Sequence, residues 1–73
     1  MGKTSESEAK LSFVSFCIEE YKTQHNMDGA SVAALFEKCG VIDFLMKHFD
    51  VLHTLGKEAI LNEITQFMEE EMQ

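Results

Sequence analysis

Two histidines and one aspartate stand close together in the second half of the chain, at His48, Asp50 and His53. Imidazole and carboxylate groups bind metals and transfer protons, so these residues are the first candidates for chemistry. The two histidines are five positions apart, however, and do not share one helical face as an i, i+4 pair would. The spacing favours a structural role, in which Asp50 caps a turn by accepting from backbone donors near residues 52 and 53. His53 would then pack its ring and hydrogen-bond a carbonyl or Asp50. A small-ligand or metal site at Asp50 and His53 is the alternative.

The other side chains that could act as nucleophiles or acids are poorly placed for catalysis. Cys39 falls at the end of a predicted helix, where carbonyl oxygens disfavour a thiolate, and Cys17 falls within an apolar stripe. Glu19 and Glu20 are adjacent on a predicted helix, so their side chains diverge by about 100° and do not form a convergent carboxylate pair. The sequence also lacks a glycine-rich phosphate loop, a serine nucleophile elbow and a cofactor fingerprint. We therefore expect no enzymatic activity, no catalytic residue and no cofactor.

Acidic residues outnumber basic ones along the whole chain. The sequence has 13 aspartates and glutamates against 6 lysines and no arginine, giving a formal net charge of -7. The lysines are scattered singly, and no basic patch exists to bind a phosphate backbone, so nucleic acid is not an expected partner. No apolar run approaches the roughly 20 residues of a membrane span, so no membrane association is expected. Two cysteines without a signal sequence indicate a reducing, cytoplasmic location.

Glycines divide the chain into segments of helical length, and there is no proline. The predicted helices span residues 6 to about 25, 29 to 39, about 41 to 49 and about 57 to 70. Ser5 and Glu8 form a capping box for the first, Asp28 is the N-cap of the second, and Gly40 ends it as a left-handed cap. We expect an all-α fold, a compact orthogonal bundle of about four helices with a short central third helix. Residues 1–4 are expected to be a disordered tail and residues 5–73 a single helical domain.

Apolar residues at helical spacing predict the core face of each helix. The members of these stripes are Leu11, Phe13, Val14, Cys17, Ile18 and Tyr21; Val32, Leu35, Phe36 and Cys39; Val41, Ile42, Leu45 and Phe49, widened by Phe44 and Met46; and Ile60, Leu61, Ile64, Phe67 and Met68. Phe16 falls outside the first stripe. Two interpretations stay open for it: a second layer of the bundle buries it, or it contacts another chain.

Glu69, Glu70 and Glu71 form a run of acids at the end of the last predicted helix. Such a run is usually a solvated helix end, and it opposes the helix dipole there. The alternative is an electrostatic docking patch for a basic partner.

Several segments together resemble a small bacterial family known as domain of unknown function 3791. They are residues 16–21 (FCIEEY), 33–36 (AALF), 40–45 (GVIDFL) and above all 49–54 (FDVLHT), and the likeness covers about residues 11 to 68. The resemblance implies a short protein from Gram-positive gut bacteria whose relatives are encoded in small gene clusters, some beside predicted toxins of the ADP-ribosyltransferase type. It therefore implies an antitoxin-like or accessory binding role. By the same resemblance Glu20, Tyr21, Asp50 and His53 are the family-type polar positions, with no activity attached to them.

The combined expectation is a non-enzymatic protein–protein interaction module. Its concrete form is an acidic, antitoxin-like protein that masks a basic surface of a neighbouring toxin, and its partner is another protein or a second copy of itself. Two alternatives remain: a small-ligand or metal-binding domain, and a self-associating structural dimer. The candidate interaction or structural residues are Phe16, Glu20, Tyr21, Asp50, His53, Glu69, Glu70 and Glu71.

Overall fold

Five helices make up the fold in the computed structural model, which describes residues 6–71 and their side chains from residue 7. They are α1 (Glu6–His25), α2 (Gly29–Cys39), α3 (Val41–Lys47), α4 (Phe49–Leu52) and α5 (Lys57–Glu71). The described part of the chain has no strand, which confirms the all-α prediction. The predicted capping residue Ser5 and the tail at residues 1–4 lie outside the described residues.

Asp28 starts α2 as the sequence predicts. Its backbone is extended, and its carboxylate accepts from the Ser31 backbone N–H at 3.2 Å and from the Ser31 hydroxyl at 2.8 Å. These two hydrogen bonds stabilise the charged carboxylate and lower the pKa of Asp28. Met27, immediately before the cap, packs against the core cluster, which closes the turn between α1 and α2.

Gly40 alone separates α2 from α3. Its φ of 77° places it in the left-handed region, and its N–H reaches back to the carbonyls of Phe36 and Glu37. This confirms the predicted left-handed cap, a conformation in which a Cβ is unfavourable. Because one residue serves as the end of α2 and the start of α3, the direction of α3 depends directly on the backbone of Gly40.

The structure ends the third helix two residues earlier than predicted and adds a one-turn helix in the segment between the predicted third and fourth helices. α3 ends at Lys47, and His48 leaves helical geometry with φ -105° and ψ 21° before the one-turn helix α4 begins. The Thr54 hydroxyl donates to the Val51 carbonyl at 2.7 Å, which helps to close the turn after α4. A single short turn has no periodicity of its own, so the sequence pattern did not distinguish it from a connecting segment.

The buried core draws on all five helices, and α3 touches each of the others. Its Val41 and Leu45 are fully buried, which confirms the central position predicted for the third helix. The buried hydrophobic residues are Phe13, Val14, Cys17, Tyr21, Val32, Phe36, Val41, Leu45, Leu52, Ile60, Leu61, Ile64 and Met68.

Two large hydrophobic residues of α1, Leu11 and Phe16, are exposed. Leu11, expected in the apolar stripe, is 57% exposed, because it lies at the edge of that stripe, about 120° around the helix from the fully buried Cys17. Phe16 is 42% exposed, so the interpretation that the bundle buries it is wrong. The helices α2, α3 and α5 cover the face of α1 that holds Cys17, and Phe16 lies about 100° away from Cys17 on the helix.

Candidate functional site

A groove runs between the α3–α4 segment and α5. It has a volume of about 310 Å³ and is lined by Phe44, His48, Val51, Leu52, Leu55 and Glu63. Two smaller depressions adjoin it, of about 130 and 220 Å³, and both also use Phe44 as a wall. We call the three together the Phe44 groove, since this side chain is the element that they share.

Aromatic stacking holds Phe44 in place. Its ring stacks on that of Phe67 of α5 at 4.4 Å between centroids and 17° between planes, and it meets the His48 ring at 5.1 Å. Such offset stacking adds stabilisation beyond the burial of apolar area. The aromatic centre of the groove is therefore fixed by contacts within the chain and needs no ligand to order it.

The walls of the groove expose apolar side chains to solvent. Val51, in α4, is 64% exposed, and Leu55, in the turn that follows α4, is 36% exposed, although both are hydrophobic. Single exposed hydrophobic residues are ordinary on a protein surface. Two of them beside an aromatic pair form a patch of the kind that marks a binding surface.

The groove is mostly acidic at its rim. Glu63 and Glu70 of α5 line it on one side, and Asp43 of α3 lines the depression next to Gly40. Lys47 is the one lysine among its lining residues. With a formal charge of -7 on the whole chain, the rim presents a negative potential around an apolar floor.

The Asp50 and His53 corner lies beside this groove but does not form a site of its own. His53 Nδ1 lies 2.6 Å from the Phe49 carbonyl oxygen, and the His53 ring stacks on Phe49 at 4.5 Å, which confirms its predicted structural role. The predicted capping role of Asp50 is wrong. Asp50 lies inside α4, the N-cap position is His48, and no hydrogen bond of the Asp50 side chain occurs among the described residues.

No cluster of three histidine, cysteine, aspartate or glutamate side chains able to hold a metal occurs between residues 7 and 71. His48 and His53 are each engaged with a phenylalanine ring, of Phe44 and Phe49 respectively, and do not converge on a common point. The metal-binding alternative therefore has no ligand set in the described part of the chain.

The two cysteines are free thiols. Cys17 is fully buried, and burial raises its pKa to about 12, so it is protonated and shielded at neutral pH. Cys39 is half-buried at the last position of α2. Neither cysteine sits in the electropositive, accessible environment that activates a nucleophilic thiolate.

Glu20 and Tyr21 are neighbours in sequence with different roles. The Glu20 carboxylate lies 3.5 Å from Lys57 Nζ and so connects α1 to the start of α5, while Glu19 pairs with Lys22 at 3.2 Å. Tyr21 belongs to the core: its ring packs edge-on against Phe36. Burial and, to a smaller extent, the nearby Cys39 raise the pKa of Tyr21. The structure brings neither residue to the Phe44 groove.

The acid run at the end of α5 is exposed at all three positions. Glu70 lines the Phe44 groove, whereas Glu69 and Glu71 do not contribute to it. Sequence reasoning grouped these glutamates by their adjacency, but neighbours on a helix point in directions about 100° apart. Spacing by seven, as between Glu63 and Glu70, is the signal that could have identified the rim.

Sequence reasoning missed the groove itself. Phe44 and Phe67 belong to predicted core stripes, and both are half-buried, with one side toward solvent. A periodic pattern identifies the face that a helix turns toward its neighbours but not where the covering helices stop. Val51 and Leu55 lie between the predicted third and fourth helices, where no helix was expected.

Comparison with known proteins identifies one family for most of the helical region. Residues 12–71, most of the 73-residue chain, match the family described as "Protein of unknown function (DUF3791)". Searches of curated proteins and of solved structures found no significant match. Between residues 6 and 71, no helix has both the length and the hydrophobicity needed to cross a membrane. Because this match covers well over half of the chain, the chain belongs to the DUF3791 family.

Proposed function

We propose that this chain is a non-enzymatic interaction module that binds a partner protein through the Phe44 groove. The observation that carries the proposal is the open groove itself, which combines a fixed aromatic centre, exposed apolar walls and an acidic rim. Interaction surfaces commonly have an apolar centre with aromatic anchors and a polar edge. Cys17 is buried and protonated, and Glu19 and Glu20 are in ion pairs, so none of these three residues supports a catalytic role.

The size and shape of the groove favour a protein over a small molecule. At about 310 Å³ it lies at the lower limit of small-molecule pockets, which enclose most of the ligand surface. Val51, at 64% exposure, lies on an open wall of the groove, and a small ligand would leave much of this side chain exposed to solvent. A protein surface covers such a wall completely, and burying it contributes about 25 cal/mol per Å².

Charge indicates the kind of partner. A chain with a net charge of -7 and an acidic rim attracts a basic surface over a distance and accelerates the encounter. An antitoxin-like protein that masks a basic surface of a toxin is the concrete form of this proposal.

The free state of both cysteines fits a reducing compartment, and we propose that the interaction takes place in the cytoplasm.

The test compares two matched variants of the tagged chain, expressed in its host with the neighbouring genes intact. Val51→Asp places a charge in the groove, and Leu11→Asp makes the same change at a similarly exposed site on α1. We expect one stoichiometric partner to be retained by the wild type and by Leu11→Asp, and Val51→Asp to bind it about tenfold or more weakly. Both changes are at exposed positions, so thermal melts should show both variants folded. Equal retention by the two variants, or a wild type that retains nothing, would refute the proposal.

The exposure of Phe16 favours a second candidate, a self-associating dimer. A phenylalanine that is 42% exposed on α1, away from the Phe44 groove, is a suitable contact for a second copy. This hypothesis predicts a dimer by light scattering that Phe16→Asp converts to a monomer. A monomeric wild type at micromolar concentration would exclude it.

A further inference from the structure

The acids of the groove rim follow a line along α5. Glu63 and Glu70 both line the groove and are seven residues apart, which is almost two full turns of helix. They therefore project from the same side of α5, separated by about 10.5 Å at 1.5 Å per residue. Phe67 lies between them and stacks on Phe44, so the two charges flank an aromatic centre.

The 10.5 Å spacing distinguishes between the two regular shapes that a partner segment can have. Residues on one face of an extended strand recur about every 6.6 Å, a backbone repeat that does not coincide with the rise between Glu63 and Glu70. Residues seven apart on a helix match it directly. The described residues contain no strand, so the chain also offers no sheet edge to which an extended segment could add.

The apolar side of the groove has a form that is complementary to a helical partner segment. Val51 and Leu55 project from the wall opposite α5, and Phe44 lies between that wall and Phe67. A trough bounded by exposed aliphatic side chains and a stacked aromatic pair accepts the ridge of apolar residues that an amphipathic helix carries at i, i+3, i+4 and i+7.

We infer that the Phe44 groove binds a basic amphipathic helix of the partner protein, laid along α5 with lysines or arginines seven residues apart against Glu63 and Glu70. The apolar face of this helix covers Val51, Leu55 and Phe44. The inference rests on the proposed function and specifies the shape and charge of its partner. It also separates the roles of the C-terminal glutamates, since Glu70 contacts the helix and Glu69 and Glu71 contribute only to the general negative field.

The test uses synthetic peptides of about 18 residues, long enough for a helix to form. The first carries leucines at i, i+3, i+4 and i+7 and lysines seven residues apart beside them. The second has the same composition in a shuffled, non-amphipathic order, and the third has glutamates in place of the lysines. Binding to the full chain is measured by fluorescence anisotropy, and amide shifts in NMR spectra locate the site. We expect only the first peptide to bind, with shifts concentrated at Phe44, Val51 and Leu55.

Two double variants with the same change in net charge provide the matched control. Glu63→Lys/Glu70→Lys should weaken binding of the basic amphipathic peptide roughly tenfold, whereas Glu69→Lys/Glu71→Lys should weaken it by a much smaller factor. Equal weakening by the two variants would show that general acidity attracts the peptide and would overturn the inference. All four glutamates are exposed, and melting curves check that both variants fold.

The outcomes separate this inference from the function on which it rests. If no peptide binds while Val51→Asp still releases the natural partner, the groove is an interface but its occupant is not a basic helix, and only this inference fails. If the partner is retained by Val51→Asp, the proposed function fails, whatever the peptides do.

Discussion

Replacing Gly40 by alanine should destabilise the fold through backbone strain alone. A Cβ built at Gly40 meets no heavy atom within 4 Å, so the substitution causes no clash. The φ of 77° is the only source of cost, at about 1–2 kcal/mol for an L-residue in the left-handed region. Alanine also lowers the conformational entropy of the unfolded chain, which offsets about 0.4–1 kcal/mol of this loss of stability. We therefore expect a net loss of about 1 kcal/mol from a total that is about 4–11 kcal/mol for a chain of this length.

Gly29→Ala is the matched control, because the chemical change is the same and the expected sign is opposite. Gly29 is the first residue of α2, has no positive φ, and its added Cβ would lie 3.8 Å from the Lys22 Cδ, an ordinary contact. We expect this variant to gain about 0.4–1 kcal/mol. The two variants should thus differ by about 1–2 kcal/mol, or about 4–16 °C in Tm for a domain of this size.

Urea unfolding followed by circular dichroism measures both variants, with thermal melts as a second probe. The slope of the free energy against urea should stay constant, since neither change alters the surface exposed on unfolding. Gly40→Asn should fall between glycine and alanine, because asparagine tolerates the left-handed region better than alanine. If Gly40→Ala is neutral or stabilising like Gly29→Ala, the strain at the α2–α3 junction is not the cause argued above.

Three further predictions concern ionisable side chains. Hydrogen bonds from Ser31 lower the pKa of Asp28, so its contribution to stability is present above the ordinary carboxyl pKa of 3.8 and is lost as pH falls through the lowered value. Melting curves from pH 2 to 7 should therefore show Asp28→Ala least stable relative to wild type near neutrality, with the difference shrinking in acid; a constant difference would contradict this. In a variant with the other cysteine replaced by serine, Cys17 should resist a thiol reagent at pH 8 in the native state and react fully in urea, because it is buried with a raised pKa; rapid native labelling would contradict its burial. Breaking the ion pair by Glu20→Gln should cost less than about 1 kcal/mol and less still in high salt, because Lys57 and Glu20 are both partly exposed; a larger loss would indicate a role beyond this pair.

Local chemistry made the helix ends predictable from the sequence. Asp28 was identified as an N-cap and Gly40 as a left-handed cap because each role requires a particular residue type within a few positions of a periodic segment. The central position of the third helix followed for a similar reason. A short segment with apolar residues around most of its circumference, as at Val41 and Leu45, is stable only when other helices surround it.

Features that depend on distant contacts were less predictable. The apolar stripe of α1 does not show how far around the helix its neighbours reach, so neither the exposure of Leu11 nor the choice between the two interpretations of Phe16 could be decided from it. The capping role expected of Asp50 failed because His48 leaves helical geometry two residues earlier and takes the N-cap position. The Phe44 groove depends on the placement of α5 against the α3–α4 segment, and the sequence reveals it only through the seven-residue spacing of Glu63 and Glu70.

The position of α5 at the end of the described fold has a consequence for biosynthesis. Four of the buried hydrophobic residues, Ile60, Leu61, Ile64 and Met68, belong to α5, and α1 packs against it. On the ribosome α1 emerges first, and we expect the part of its apolar face that packs against α5 to remain uncovered until α5 has been translated. A nascent chain that stops before α5 would expose this face to cellular proteases and would lack one wall of the Phe44 groove. The same late segment thus completes both the core and the Phe44 groove.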